Sequence, residues 1–280
     1  MQLDEQIKTY LRHPVPIWNV TLAKALIHWK WYDLATKPLV KDISEYNTAN
    51  LLLNAYFPTP ELEEIRPGVF VEAPDFERLT TFYREHDLHL ISLNDQRKIN
   101  ATSQLRNAFD FLGLDNICQK SIITLTKRIH VLTQPEPEFD VSYSHPDIPF
   151  TIFVSIGDGQ SENDVIRLAE SILHEGMHLK LTLIEHLIPM ISDNSYFFFS
   201  PWRDEERPTR GVLHGMFVFR AILDFYISIQ SSIKNSEHYE FIDSRIEMIK
   251  SELNCLNGFE LNKGLSANGA ILARNLLPLN

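Results

Sequence analysis

Glycine, cysteine and basic charge are the scarce components of this 280-residue sequence. Ten glycines are about half the usual ~7%. Neither a GxGxxG nor a Walker loop occurs, so dinucleotide and P-loop chemistry lose their signature. The two cysteines, Cys118 and Cys255, lie far apart without a CxxC, which excludes a disulfide framework and a cysteine-based zinc site. Lys and Arg number 26 against 37 Asp and Glu, a net charge of −11, with a pI near 5.4. Binding nucleic acid takes clustered Lys and Arg to neutralise phosphates, and no such run is present. No apolar run approaches the length that spans a bilayer; the most apolar stretch, 211–229, carries His214, Arg220 and Asp224. The opening MQLDEQIKTYLRH lacks the apolar core of a secretory signal. The expectation is a soluble, cytoplasmic protein that binds neither nucleic acid nor membrane.

What is present is ordinary globular material, 44% apolar and 22% charged. A chain of this length buries a core without staples, so a bound metal would be functional. The first half reads as mostly helical. Mixed three- and four-residue apolar spacing predicts helices over 3–11, 22–32, 75–83 and 95–112. The stretch 117–132 is ambiguous, beginning helical and ending as a strand over 128–132. Gln134-Pro135-Glu136-Pro137-Glu138 reads as an extended linker. Beyond it, 149–156 (PFTIFVSI) is a strand candidate. Ser161 with Asp164 caps a long helix from 162 to about 187, closed by Pro189. A loop over 191–208 follows, then helices over 211–230 and 237–256. The fold class expected is mainly α with a small β component. A helical half, 1–140, to which substrate binding is open, joins a metal-bearing half, 141–280, with the two forming either one compact domain or two.

The long helix contains His174-Glu175-Gly176-Met177-His178, an HExxH. Residues four apart share a helix face, so both imidazoles can reach one metal ion at about 2.0–2.1 Å without bending the backbone. Glu175 sits about 100° around the helix and can serve as a base or as an acceptor behind the ligands. The protease extension HExxHxxGxxH is absent, since its positions hold Leu181 and Ile184. A third ligand must come from further on. Asp224 is one option; His214, a lone polar residue near the start of the second apolar helix, is the better one.

The order of motifs resembles a known family. LHExxHxK at 173–180, Ser200-Pro201-Trp202-Arg203, Arg207-Pro208 and Gly211-Val212-Leu213-His214-Gly215 are similar to the HExxH-motif, 2-oxoglutarate-dependent peptide hydroxylases found with ribosomal peptide natural products. The likeness covers roughly 145–230. It includes the Ile148-Pro149 strand entry, although Phe150 stands where the family has Gly. The resemblance implies an Fe(II)/2-oxoglutarate dioxygenase with iron on His174, His178 and His214, and Glu175 behind the ligands. O2 and 2-oxoglutarate would share the open positions. The substrate implied is a peptide, a leader-bearing precursor or a carrier-presented amino acid, hydroxylated at the β carbon. Arg203, Arg207 and Arg210 are candidates for the distal carboxylate of 2-oxoglutarate, because a guanidinium fork matches two oxygens. HExxH alone supports the alternative, a zinc metallopeptidase with Glu175 as general base.

Other residues draw structural expectations. Trp202 anchors its loop, Phe197-Phe198-Phe199 pack inward, and Glu185 and His186 are structural at the helix end. Ser171 and Lys180 could touch substrate, with Lys180 at the surface. His86 and His89 are placed at the surface.

Overall fold

The computed structural model describes residues 3–14, 17–36, 63–72, 76–91, 95–134, 136, 140–157 and 161–277. Within them the chain is mainly helical with a small strand content, as its composition of apolar periodicities predicts. It divides into two compact units, one of residues 29–179 and one joining 1–28 to 180–280. This division differs from a single cut at residue 140. The first helix belongs with the C-terminal region, where the Asn275 side-chain amide donates to the carbonyls of Leu11 and Arg12.

The unit of residues 29–179 is built on a five-stranded sheet. Helices α1 (Leu3–Arg12) and α2 (Val20–Thr36) precede β1 (Glu63–Arg66) and β2 (Val69–Val71). Helices α3 (Phe76–Glu85), α4 (Asp95–Leu112) and α5 (Asn116–Leu125) lead to β3 (Arg128–Leu132), β4 (Ser142–Tyr143) and β5 (Thr151–Ser155). The sheet order is β1-β2-β3-β5-β4, with β2, β3 and β5 mutually parallel and the two edge strands antiparallel. Every residue of β3 and β5 is buried, as a parallel centre covered on both faces requires. The ambiguous 117–132 stretch resolves into both elements. Asp115 caps α5 by accepting from the Ile117 and Cys118 amides, and a break at 126–127 frees the β-branched RIHVL for the sheet.

Phe150 enters β5 with φ 66, the left-handed region that costs a residue bearing a Cβ about 1–2 kcal/mol. Its carbonyl holds that conformation by accepting from the amides of both Lys127 and Arg128 at 2.7 and 3.0 Å. Its ring is fully buried, so packing offsets the backbone cost at the position where glycine fits the motif pattern.

The other unit carries most of the remaining helices. The long α6 (Asp164–Glu185) is shared between the units, and is followed by β6 (Phe197–Ser200), β7 (Glu205–Pro208), α7 (Thr209–Ile229), α8 (Ser236–Asn254) and α9 (Ala267–Leu276). The expected loop over 191–208 is thus corrected to an antiparallel hairpin, β6 with β7, whose register pairs Phe197 with Pro208 and Ser200 with Glu205. By length and composition 209–232 would span a bilayer, contrary to the sequence expectation, but 67% of its most apolar window is buried in the fold. It is a core helix. Arg220 on α7 pairs with Asp224 and donates to the carbonyls of Leu276 and Leu277, closing the C-terminal end of α9.

Candidate functional site

Helix α6 carries the HExxH pair. His174 and His178 are four apart, and their Nε2 atoms stand 3.1 Å from each other. Two nitrogens at that separation, each about 2.0–2.1 Å from a common ion, subtend an angle of roughly 95–102°. That lies between the octahedral and tetrahedral values, the separation two ligands of one transition metal would need. Both rings are only partly buried, whereas the intervening Glu175, Gly176 and Met177 are buried.

Glu175 is held from the sheet edge. Ser142 donates to Oε1 and Ser144 to Oε2, each at 2.6 Å, and the carboxylate is 3% exposed. Alternation along an extended strand explains the arrangement. Ser142 and Ser144 point to one side, while Tyr143 and His145 point to the other, among Phe82, His86 and Phe153. There the Tyr143 hydroxyl meets His86 Nδ1 at 2.9 Å, and burial, followed by the charges of Glu175 and Asp147, pushes the phenol up to about 12. Neither serine was a sequence candidate. The Ser-Tyr-Ser-His alternation was the available signal, but nothing local tied it to a residue some thirty positions on.

The other half of the candidate set lies on α7. Arg210 and His214, also four apart, share one face and one partner. Glu185 Oε2 accepts from Arg210 Nε and Nη2 at 3.0 and 2.8 Å and lies 2.9 Å from His214 Nε2. Burial opposes the Glu185 charge, but His214 and Arg210 together hold its carboxyl below the usual range. Burial pulls His214 down, against the raising effect of Glu185. Glu185, read from sequence as structural at the helix end, is thus the partner of both Arg210 and His214. Arg203 is exposed, and Arg207 has a loose pair with Glu205 at 3.9 Å. Asp224 is engaged by Arg220.

Trp202 anchors the hairpin tip. Its ring stacks on Phe219 at 4.6 Å and 10°. A Cβ added at Gly215 would lie 2.7 Å from the indole, so glycine there is what lets Trp202 lie against the turn bearing His214. The PWR and LHG motifs are therefore two sides of one contact.

Several side chains depart from expectation. Lys180 is fully buried rather than at the surface: its ammonium donates to the Ile17 carbonyl and sits 4.2 Å over the Tyr10 ring. Ser171, for which a substrate contact is open, is buried at 9% exposure. Of the three phenylalanines, Phe198 packs on Phe259, but Phe197 and Phe199 are exposed at 55% and 39%, because strand alternation turns them outward. His86 belongs to the aromatic cluster, and only His89 is a surface residue. Among the described residues, no group of three or more His, Cys, Asp or Glu is gathered in a form that could hold a metal ion. No protein-family model and no curated protein matches the chain.

Proposed function

We propose that the chain is an Fe(II)/2-oxoglutarate-dependent oxygenase that hydroxylates an amino-acid side chain, at its β carbon, in a peptide or carrier-presented substrate. His174 and His178 would hold the metal through Nε2, with His214 as the third protein ligand. Arg203 and Arg207 would take the distal carboxylate of 2-oxoglutarate, since Arg210 already serves Glu185. Iron with 2-oxoglutarate and O2 supplies the oxidising chemistry, in which one oxygen atom enters a C–H bond and the other enters succinate as CO2 leaves.

The observation that carries this reading over zinc hydrolysis is the environment of Glu175. A hydrolytic base must take a proton from water and pass it on. Each Glu175 oxygen already accepts a part-buried hydroxyl bond, so the carboxylate is tethered at both ends. The residue instead fits the role of orienting its surroundings, with Oε1 3.8 Å from His174 Nε2.

The deciding experiment supplies purified protein with iron(II), ascorbate and 2-oxoglutarate and measures succinate. Succinate formation, lost in His174→Ala and with a raised KM for 2-oxoglutarate in Arg203→Ala or Arg207→Ala, is the expected result. Zinc-dependent peptide hydrolysis abolished by Glu175→Gln, with no succinate, overturns it.

A further inference from the structure

We infer that His145 is a pH-sensitive catch on β4: a proton taken up at its Nδ1 as the pH falls removes a turn bond and loosens the strand that carries Ser142 and Ser144 to Glu175. No metal enters this inference, and every residue it uses lies in the unit of residues 29–179.

Strand β4 is the weak member of its sheet. It is two residues long, lies at the sheet edge and pairs with β5 alone. Its place therefore depends on the residues to either side. On one side the Val141 carbonyl accepts the Ser155 amide and the Val141 amide donates to the Ser155 hydroxyl, each at 2.8 Å. On the other side comes the 145–148 turn. There the Ile148 amide donates to the His145 carbonyl, and the Asp147 amide donates to Nδ1 of the His145 ring, both at 3.1 Å. A backbone amide only donates, so Nδ1 bears a lone pair and the neutral ring keeps its proton on Nε2. A second proton can go only to Nδ1. It would set N–H against N–H and end the bond to Asp147.

The surroundings of the ring decide how readily that proton is taken up. Phe82 meets it edge-on at 5.6 Å, and the His86 ring lies 4.8 Å away. Burial holds His145 below its ordinary pKa; Asp147 opposes this and His86 adds to it. The Asp147 carboxylate is 3.9 Å from Nδ1 but 70% exposed, so water screens its pull. Tyr143, bonded to His86 and 6.2 Å from His145, is pushed up to about 12 and stays a neutral phenol while histidines titrate. Glu175 and the Asp140–Arg167 pair lie on the α6 side of the strand. His130 stacks on Phe153 and pairs with Glu72. Burial also pushes the Asp140 carboxyl up, which makes it the competing source of a pH response. With the folded ring taking up protons less readily than the unfolded one, the catch holds above about pH 6.5 and yields as the pH drops below it.

The test uses the full-length protein. Hydrogen exchange read by mass spectrometry at pH 7.5 and 5.5, corrected for intrinsic rates, compares the amides of 140–148 with those of β3 and α7. The expected result is a loss of protection of about two- to tenfold in 140–148 at the lower pH, the range that one net hydrogen bond covers, with β3 and α7 unchanged. His145→Gln, whose side-chain carbonyl can accept the Asp147 amide at either pH, should abolish the difference. Imidazole 15N spectra of the wild type at pH 7.5 should show His145 protonated on Nε2 alone. Equal protection at the two pH values overturns the inference, as does a loss shared by β3 and α7. A loss that persists in His145→Gln assigns the response to Asp140 and overturns it too. So does a wild-type ring protonated on Nδ1 at pH 7.5, a result that needs no variant to fold.

Discussion

Glu175 and Glu185 are two carboxylates of one helix, and their surroundings differ. Glu175 is gripped on both oxygens by neutral hydroxyls from the strand edge. Glu185 takes a guanidinium and an imidazole on one oxygen, while its Oε1 is buried without a hydrogen-bond partner among the described residues. The first arrangement fixes where a carboxylate points through neutral donors on both oxygens. The second pairs the charge with a guanidinium and an imidazole. The same functional group is thus held by neutral hydroxyls in one place and by a guanidinium with an imidazole in the other.

The sharpest way to break the comparison is to remove a nitrogen from the His174–His178 pair. His174→Ala or His178→Ala should cost at least about 100-fold in cobalt(II) affinity, the upper end of what an outer partner contributes. Chelator competition measures it, and an unchanged affinity would mean that the 3.1 Å pair is not a metal site. Next in size is the clamp itself. Ser142→Ala and Ser144→Ala should each lower stability in urea by about 1–3 kcal/mol, because a buried carboxylate loses a donor. The penalty should shrink in a Glu175→Gln background, where no charge is stranded.

A comparable effect is expected where α7 meets the hairpin. Gly215→Ala drives a Cβ into the Trp202 ring and should cost about 1–3 kcal/mol by overpacking. The cost should largely disappear in Trp202→Ala, which a double-mutant cycle would read. The smallest effect concerns the far face of the clamping strand. Burial holds His145 below its ordinary pKa, with the charge of His86 adding to it and Asp147 opposing. The folded state thus binds protons less readily than the unfolded chain. Stability from this group is complete above about pH 6.5 and falls as the pH drops through that value. Denaturation midpoints at pH 7.5 and 5.5 should show the loss, and His145→Gln should reduce it.

Much of the fold was legible because it is local. The 95–112 helix matched its apolar stripe from end to end, and the mixed character of 117–132 was a true junction of helix and strand. The misses share a cause. β1 (EEIR), β2 (VFV) and β7 (EERP) are too short or too charged to show a period of two, and they become strands only by pairing. The C-terminal helix was overlooked because Asn268 and Gly269 weaken its pattern; Gly269 is there because a Cβ would meet the Met190 carbonyl at 2.0 Å. Lys180 was misplaced through its charge. Its position on α6 falls on the Leu173, Gly176, Met177 and Ile184 stripe, and that spacing was the better guide.

The pairing of His174 with His178 follows from the sequence alone, since a helix brings residues four apart together whatever surrounds it. What Glu175 and Glu185 do was decided only when the chain returned to them, bringing Ser142 and Ser144 to one and Arg210 and His214 to the other. Helix periodicity acts over a single turn. The partners of a carboxylate depend on whichever distant side chain reaches it, and no local pattern encodes that.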